Sequence, residues 1–420
     1  MEILFFKKLS IMGANNLMTN IALISDIHFG KFSRTNEFSV PGEPIQDENK
    51  GSISLKDSLI SVLIDNHVQY LFVAGDLTSL GSPHEFYYCQ KEIITIAEKA
   101  KIPKNNIIIG LGNHDIDWKI SKLCEEYSKL DGTVFPFDLV KEKYQLIAAR
   151  ASMHNMPEIL QPNNVGPAPY SGIIENDNFV SFVLNSGWFC TYNDKYPHGK
   201  LSQDQLDWFQ SSAKKFKDDN RWKIVLMHHH PFNYPFPTLE SDISTLEEGS
   251  KFLEIAGENG INLVLHGHRH HPKAKTIIET GWLAPITFIC AGSLSVNSHH
   301  RSFGQIPNVF HIVNLLDTPG DLILKNFQYT SADGWIPLDK NQSATPIDPI
   351  MCLGKVFNIR EINDALLKLE QNKILKWDEL PEPLRFLNYN ELNSKIRAFY
   401  SNTHCVIGEF PKNVYITREG

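Results

Sequence analysis

Five short apolar runs punctuate the first two-thirds of the chain, at Ile21–Ser25, Tyr70–Ala74, Ile107–Leu111, Lys223–Met227 and Asn262–Leu265. Each is rich in Ile, Val or Leu and too short for a helix, so each reads as a buried strand. Between them the apolar period changes. Leu55 to His67 carries Leu55, Leu59, Val62 and Leu63 at helical spacing, and His84 to Lys101 repeats the pattern with Phe86, Ile93, Ile94 and Ala97. Ser202 with Gln205 has the form of a capping box opening a helix through Phe216, and Thr245 with Glu248 has the same form for a helix stopping near Gly260. Further strands are predicted at Phe179–Asn185, Thr287–Cys290, Val309–Leu315 and Leu322–Gln328. Strands alternating with helices predict a layered α/β fold.

Two stretches break the alternation. Lys31 to Ser54 is polar, with Pro41, Gly42 and Pro44, and reads as a loop beside the first strand. Asp117 to Asn178, with its proline-rich part Pro157–Pro169, reads as a cap-like insertion over the sheet edge. From about Trp335 the pattern changes again, with helical segments at Glu361–Leu375 and Glu391–Tyr400 separated by Pro381 and Pro383. The expected division is a disordered leader over 1–19, a main domain over 20–334 with its insertion at 117–178, and a small accessory region over 335–420.

At 420 residues, 42% hydrophobic and 21% charged, the composition is that of a soluble globular protein. The net charge of -8 leans against a broad nucleic-acid groove, which needs a basic surplus. Cys89, Cys124, Cys190, Cys290, Cys352 and Cys405 form no CxxC pair and read as free thiols of a reducing compartment. No apolar run is long enough to span a bilayer. In the leader, Lys7 and Lys8 follow the apolar Ile3–Phe6 instead of preceding it, unlike a secretory signal. A cytoplasmic protein is expected.

The polar chemistry falls where the strands end. Asp26 and His28 follow the first run, and Gly75 with Asp76 the second. Gly112, Asn113, His114 and Asp115 follow the third, His228, His229 and His230 the fourth, and His266 to His270 the fifth. Ligands of open α/β sheets bind outside the carboxyl ends of the strands, so five strand ends deliver carboxylates and imidazoles to one edge. That donor set suits a pair of divalent ions such as Mn, Fe or Zn, with the identity open. Alternation along extended backbone is expected to put Asp26 and His28 on one side, and His268 and His270 likewise. Gly75, Gly112 and Gly267 are expected to let the backbone turn sharply beside the ions. The isolated His154, His198, His299, His300 and His311 read as ordinary surface or core residues.

The series Asp26-x-His28, Gly75-Asp76, Gly112-Asn113-His114-Asp115, His228-His229-His230-Pro231 and Gly267-His268-x-His270 resembles the complete signature of the calcineurin-like metallophosphoesterases. The similarity covers roughly Asn20 to Gln328. The Leu201-Ser-x-x-Gln205-Leu-x-Trp208 stretch and the triple histidine before Pro231 resemble the bacterial class III cyclic-nucleotide phosphodiesterases. The resemblance implies an α/β/β/α sandwich that hydrolyses phosphoesters. It implies that Asp26, His28 and His270 hold one ion, that Asn113, His228 and His268 hold the other, and that Asp76 bridges both. His228 is the expected ligand of its triplet, with His229 as the alternative. His114 is implied as the catalytic group at the phosphate or the leaving oxygen, with Asp115 orienting it, and His230 and His266 as supporting residues. Two ions can share a hydroxide whose pKa they have lowered. The implied partner is a phosphoester small molecule, nucleotides included, with no membrane. A phosphomonoesterase, a nuclease or a non-catalytic binding module on the same fold are the alternatives.

Overall fold

The computed structural model describes residues 19–131, 164–190, 198–233, 244–300 and 306–354, except 44, 46, 50, 318, 340–344 and 346, together with strands at 374–376, 403–407 and 413–418. The first sheet is built on three parallel strands, β1 (Thr19–Ile24), β2 (Tyr70–Ala74) and β3 (Ile107–Gly110). The second is built on four, β6 (Phe179–Val183), β7 (Trp222–Leu226), β8 (Leu263–His266) and β10 (Ile286–Cys290). The short antiparallel strands β4 (Asn164–Val165), β5 (Gly172–Glu175) and β9 (Lys273–Ile277) complete the second sheet in the order β4-β5-β6-β7-β8-β10-β9.

The two sheets pack face to face. Ile21 and Leu23 of β1 point inward with Phe72 and Ile108, against Phe179, Ile224, Leu226 and Leu265 of the second sheet. The alternate positions Ala22, Ile24, Val73 and Ile109 face outward onto helices α1 (Leu55–Asp65) and α2 (Pro83–Lys99). A third helix, α3 (Trp118–Asp131), follows the third strand. The outer face of the second sheet carries α4 (Gln203–Lys215) and α5 (Gly249–Glu258), joined by the stacked rings of Phe209 and Phe252 at 5.6 Å. This is the expected layered α/β/β/α sandwich. Strands buried on both faces need apolar residues at every position, which is why the five runs are continuous.

The helix starts differ in part from expectation. Ser82 and Glu85 form a reciprocal capping box with Pro83 at the first turn of α2. At α4, Ser202 caps the Gln205 amide, but the Gln205 side chain turns away to pair with the backbone of Asn185 in both directions, at 2.8 and 3.2 Å. At α5 there is no side-chain cap, and Glu248 instead accepts from the Leu201 amide at 3.0 Å. In both cases a long-range backbone partner takes the group that a capping box would have used. The stop near Gly260 is met, with φ +68° at that glycine.

The first sheet does not end at Trp335. Strands β11 (Val309–Leu315) and β12 (Leu322–Thr330) extend it on the antiparallel side of β1, and β13 (Gly334–Pro337) and β14 (Ile350–Leu353) both pair with β12. Trp335 is buried, its ring edge-on to Phe310 at 4.9 Å and its indole N–H donating to the Leu55 carbonyl at 2.9 Å. A change in composition there marks the sandwich's last strands. Beyond Gly354, β15 (Ile374–Lys376), β17 (Asn413–Arg418) and β16 (Thr403–Ile407) form a separate three-stranded sheet in that order. The helical expectation for Glu361–Leu375 meets strand at Ile374 and Leu375 and otherwise lies outside the described residues, as do Glu391–Tyr400, most of the leader and residues 132–163 of the insertion. No described helix is long and apolar enough to cross a membrane. Cys89, Cys190 and Cys290 are buried thiols.

Trp335→Ala should destabilise the protein by about 3–5 kcal/mol, the usual cost of deleting a buried indole. Truncation after Asp333 should abolish the cooperative melt. Thermal melts of both variants check this; a melt unchanged by truncation after Asp333 would place the sandwich's boundary before β13.

Candidate active site

Each strand carrying a predicted ligand ends just before it. The first strand stops two residues before Asp26, the second before Gly75-Asp76, and the third before a single 3-10 turn, Asn113–Asp115. The seventh stops before His228, and the eighth before His268 and His270. The facing sheets bring all seven predicted ligands together. Asp26, His28, Asp76 and His270 each place a ligand atom within 4.8 Å of the others. Asp26 Oδ1 is 3.1 Å from His270 Nε2, and Asp76 Oδ2 is 3.4 Å from His28 Nε2. The same Asp76 Oδ2 is 3.2 Å from His228 Nε2, where a second group begins. Asn113 Oδ1, His228 Nε2 and His268 Nδ1 form a triangle with sides of 3.2, 3.0 and 3.2 Å.

His228 and His229 differ in orientation. His228 Nδ1 lies 2.7 Å from the Ala74 carbonyl, which only accepts, so the proton sits on Nδ1 and Nε2 faces Asp76 and Asn113. His229 is also within reach of His228 and His268. Its Nδ1, however, lies 2.8 Å from Ser186 Oγ and its Nε2 3.9 Å from Cys190 Sγ. His230 and His266 are fully buried behind His268.

The backbone reaches this arrangement by a route that strand alternation did not anticipate. Asp26, His28, Asp76, His268 and His270 have φ of 52°, 47°, 50°, 78° and 51°. These are left-handed conformations that non-glycine residues seldom adopt and that cost on the order of 1–3 kcal/mol each. Asp-x-His and His-x-His are therefore tight turns, and their side chains converge because the chain bends. Backbone bonds hold the bends: the Asp26 amide donates to the Gly75 carbonyl at 3.1 Å and the His28 amide to Asp76 at 3.0 Å. Gly75, at φ +88°, has no room for a side chain, since a Cβ would stand 2.6 Å from His228 Nδ1.

The charge states fit a cation site. Burial opposes ionisation of Asp76, but His228 and His114 outweigh it and hold the carboxyl well below the usual range. Asp26 is likewise lowered against burial, chiefly by His270. Burial, reinforced by His114, depresses His28 to about 4, and burial with neighbouring imidazoles keeps His268 neutral. At His228 burial is outweighed by Asp76, which raises it to about 9, so His228 would have to shed a proton to take a cation. Asp26 Oδ1 and both His28 ring nitrogens are buried without a hydrogen-bond partner. Buried polar atoms are ordinarily satisfied, and a cation between these groups would satisfy Asp26 Oδ1 and the His28 nitrogen that faces it, Nε2.

His114 sits beside the first group, its ring 4.5 Å from that of His28. Asp115 does not orient it. The Asp115 carboxylate accepts from the Thr78 amide, the Thr78 hydroxyl and the Gly112 amide at 2.9–3.1 Å, and burial with the nearby Asp76 charge pushes it up to about 7. The Ser79 carbonyl orients His114 instead, accepting from Nδ1 at 2.8 Å. Backbone partners of this kind leave no mark in a sequence, because any residue at position 79 offers the same carbonyl.

Residues 19–272 match the family model described as calcineurin-like phosphoesterase, well over half of the chain. The chain belongs to that family and is a phosphoester hydrolase. No curated protein matches it in sequence. Similar solved structures include a dimetal phosphatase from Danio rerio, 11% identical, with a TM-score of 0.43, covering 80% of this chain and 98% of that one. Another is a purple acid phosphatase from yellow lupin, 12% identical, TM-score 0.48, covering 80% of this chain and 54% of that one. A third is a putative 5'-nucleotidase from Staphylococcus aureus, 12% identical, TM-score 0.36, covering 85% and 59%.

The turn that carries Ser79 gives a pH prediction. Glu85 accepts from the Leu80 and Ser82 amides at 3.0 Å, and burial raises it from 4.5 to about 7. The folded protein then binds more protons than the unfolded chain between those values, so this group's contribution to stability falls as pH rises through that window, by about 3 kcal/mol in all. Glu85→Gln should remove that fall. Its melting temperature relative to wild type should rise between pH 5 and pH 8, and a constant difference would contradict the assignment.

Proposed function

We propose that the chain hydrolyses phosphodiesters, cyclic nucleotides among them, at a centre of two divalent cations. Asp26, His28 and His270 hold one cation, Asn113, His228 and His268 the other, and Asp76 lies between them. The observation that carries this reading is the position of Asp76 Oδ2, 3.4 Å from His28 Nε2 and 3.2 Å from His228 Nε2. One carboxylate oxygen faces both groups, while Asp76 Oδ1 is occupied by the His114 amide at 2.8 Å. Two such cations, when bound, supply an activated water and offset the charge that develops on a phosphoryl group.

The chain's own residues do the rest. The left-handed turns and the backbone bonds that hold them fix where these side chains stand, which limits the reorganisation left to be made at binding. Asn113 contributes a neutral oxygen, which limits the negative charge facing an anionic substrate. His114 has its Nδ1–H committed to Ser79, so only Nε2 is free to reach the phosphate or the leaving oxygen. Donating a proton from Nε2 therefore requires the doubly protonated ring. The preference for a diester is supported by the Leu201–Trp208 stretch and the triple histidine, and the lack of any CxxC pair among the six cysteines supports a cytoplasmic location.

Purified protein should carry two transition-metal ions per chain, and chelation should abolish hydrolysis across a panel of cyclic nucleotides, aryl phosphodiesters, phosphomonoesters and single-stranded DNA. Asp76→Ala should lower the content of both ions. Full metal content and activity in that variant would rule out the bridging role, and turnover of monoesters alone would rule out the diester preference.

His114→Ala should keep both ions and lose about 10²–10⁴-fold in rate on substrates with an alkoxide leaving group, the usual range for general acid help. The loss should shrink on p-nitrophenyl esters, whose leaving group needs no proton. An equal loss on both, with metal content and melting temperature intact, would limit His114 to positioning the phosphate.

A further inference from the structure

Two aromatic residues stand beside His114 and belong to none of the ligand motifs. The Phe32 ring lies 5.8 Å from His114 at 84°, and the Trp118 ring 5.0 Å from His114 at 38°. Phe32 is also 6.1 Å from His28. Both rings are half-buried, and neither joins the apolar cluster beneath, which on this side reaches Ile116 and Ile120. Among the described residues their rings pack against His114 and each other, at the edge of the metal-ligand cluster. They are held rigidly, and from the same turn that orients His114. The Phe32 amide donates to Ser79 Oγ at 2.9 Å, Ser79 Oγ donates to the His28 carbonyl at 2.7 Å, and the Trp118 amide donates to the Leu80 carbonyl at 3.1 Å.

We infer that Phe32 and Trp118 form a binding surface for a planar aromatic ring on the leaving group of the substrate, of nucleobase size and chemistry. The inference rests on the reading above in one respect, the placement of His114 at the leaving oxygen. The two rings stand 6.2 Å apart at 59°. They make a corner and not a slot, so a ligand ring lies against one face with its edge toward the other. Those are the offset and edge-on geometries that aromatic pairs favour. Ligand sites commonly combine such apolar walls with a few fixed polar groups, and here the polar groups are those of the metal centre. Stacking of this kind tolerates any base, so the surface selects for an aromatic ring without reading its edge.

The test is a binding measurement that needs no turnover. Isothermal titration of the metal-loaded protein compares adenosine 5'-monophosphate with ribose 5-phosphate, which present the same phosphate and sugar with and without the base. The nucleotide should bind roughly 5- to 100-fold more tightly. Phe32→Leu and Trp118→Leu, which keep apolar bulk but remove the ring face, should each lower that ratio while leaving ribose 5-phosphate affinity within about twofold, and Trp118→Phe should recover most of it. A ratio near one in the wild type, or a ratio unchanged in both leucine variants, would overturn the inference. Base-dependent binding without hydrolysis would uphold the aromatic surface and count against the catalytic reading alone.

Discussion

The Asp76 carboxylate is shared by three elements from two sheets. One oxygen accepts the His114 amide, and the other stands 3.4 Å from an imidazole of the first sheet and 3.2 Å from one of the second. A buried carboxylate in that position is stable only if positive charge surrounds it. His228, raised to about 9 beside it, supplies that charge, and the sandwich brings it there by geometry. Parallel strands in both sheets run to the same edge, so His28 and His228 arrive from opposite layers at one oxygen. The apolar layer between the sheets, with Leu23, Phe72, Ile224 and Leu265 fully buried, sets the distance across which they meet. Because packed interiors do not deform continuously, that distance is not adjustable at small cost.

Strain is the other side of the same arrangement. Five of the seven candidate ligand residues sit at positive φ, at a combined cost that a marginally stable domain could not carry without local support. The support is visible as backbone bonds between neighbouring strand ends, Asp26 to Gly75 and His28 to Asp76, and as glycines at the points of closest approach. The backbone thus fixes the site's side chains through its own hydrogen bonds, which is the condition for electrostatic catalysis at low reorganisation cost.

Much of this was legible in the sequence because it is local. The five buried strands are continuous apolar runs, and their ends fall within a residue or two of the expected positions. The candidate ligands follow each strand directly, so their convergence could be argued from topology alone. What was not legible depends on tertiary partners. The tight turns at Asp26–His28 and His268–His270 look like extended alternation until φ is known. The Lys273–Ile277 strand is polar and half-exposed, and its pairing comes from β10 and not from its own pattern. Gln205 and Glu248 carry capping signatures but are taken by Asn185 and Leu201 from elsewhere in the chain. Trp335 lies where the composition changes, yet it is a core residue because β12 offers it an edge. Phe32 and Trp118 belong to no motif, and only the fold places them together at His114.

On the proposed reading, one carboxylate oxygen of Asp76 serves two cations. Anomalous diffraction from crystals of the metal-loaded protein, collected at the absorption edge of the bound element, tests that directly. Two peaks roughly 3.5–4 Å apart, both within ligand distance of Asp76, are the predicted result. A single peak, or a peak held by His228, His229 and His268 without Asp76, would contradict it.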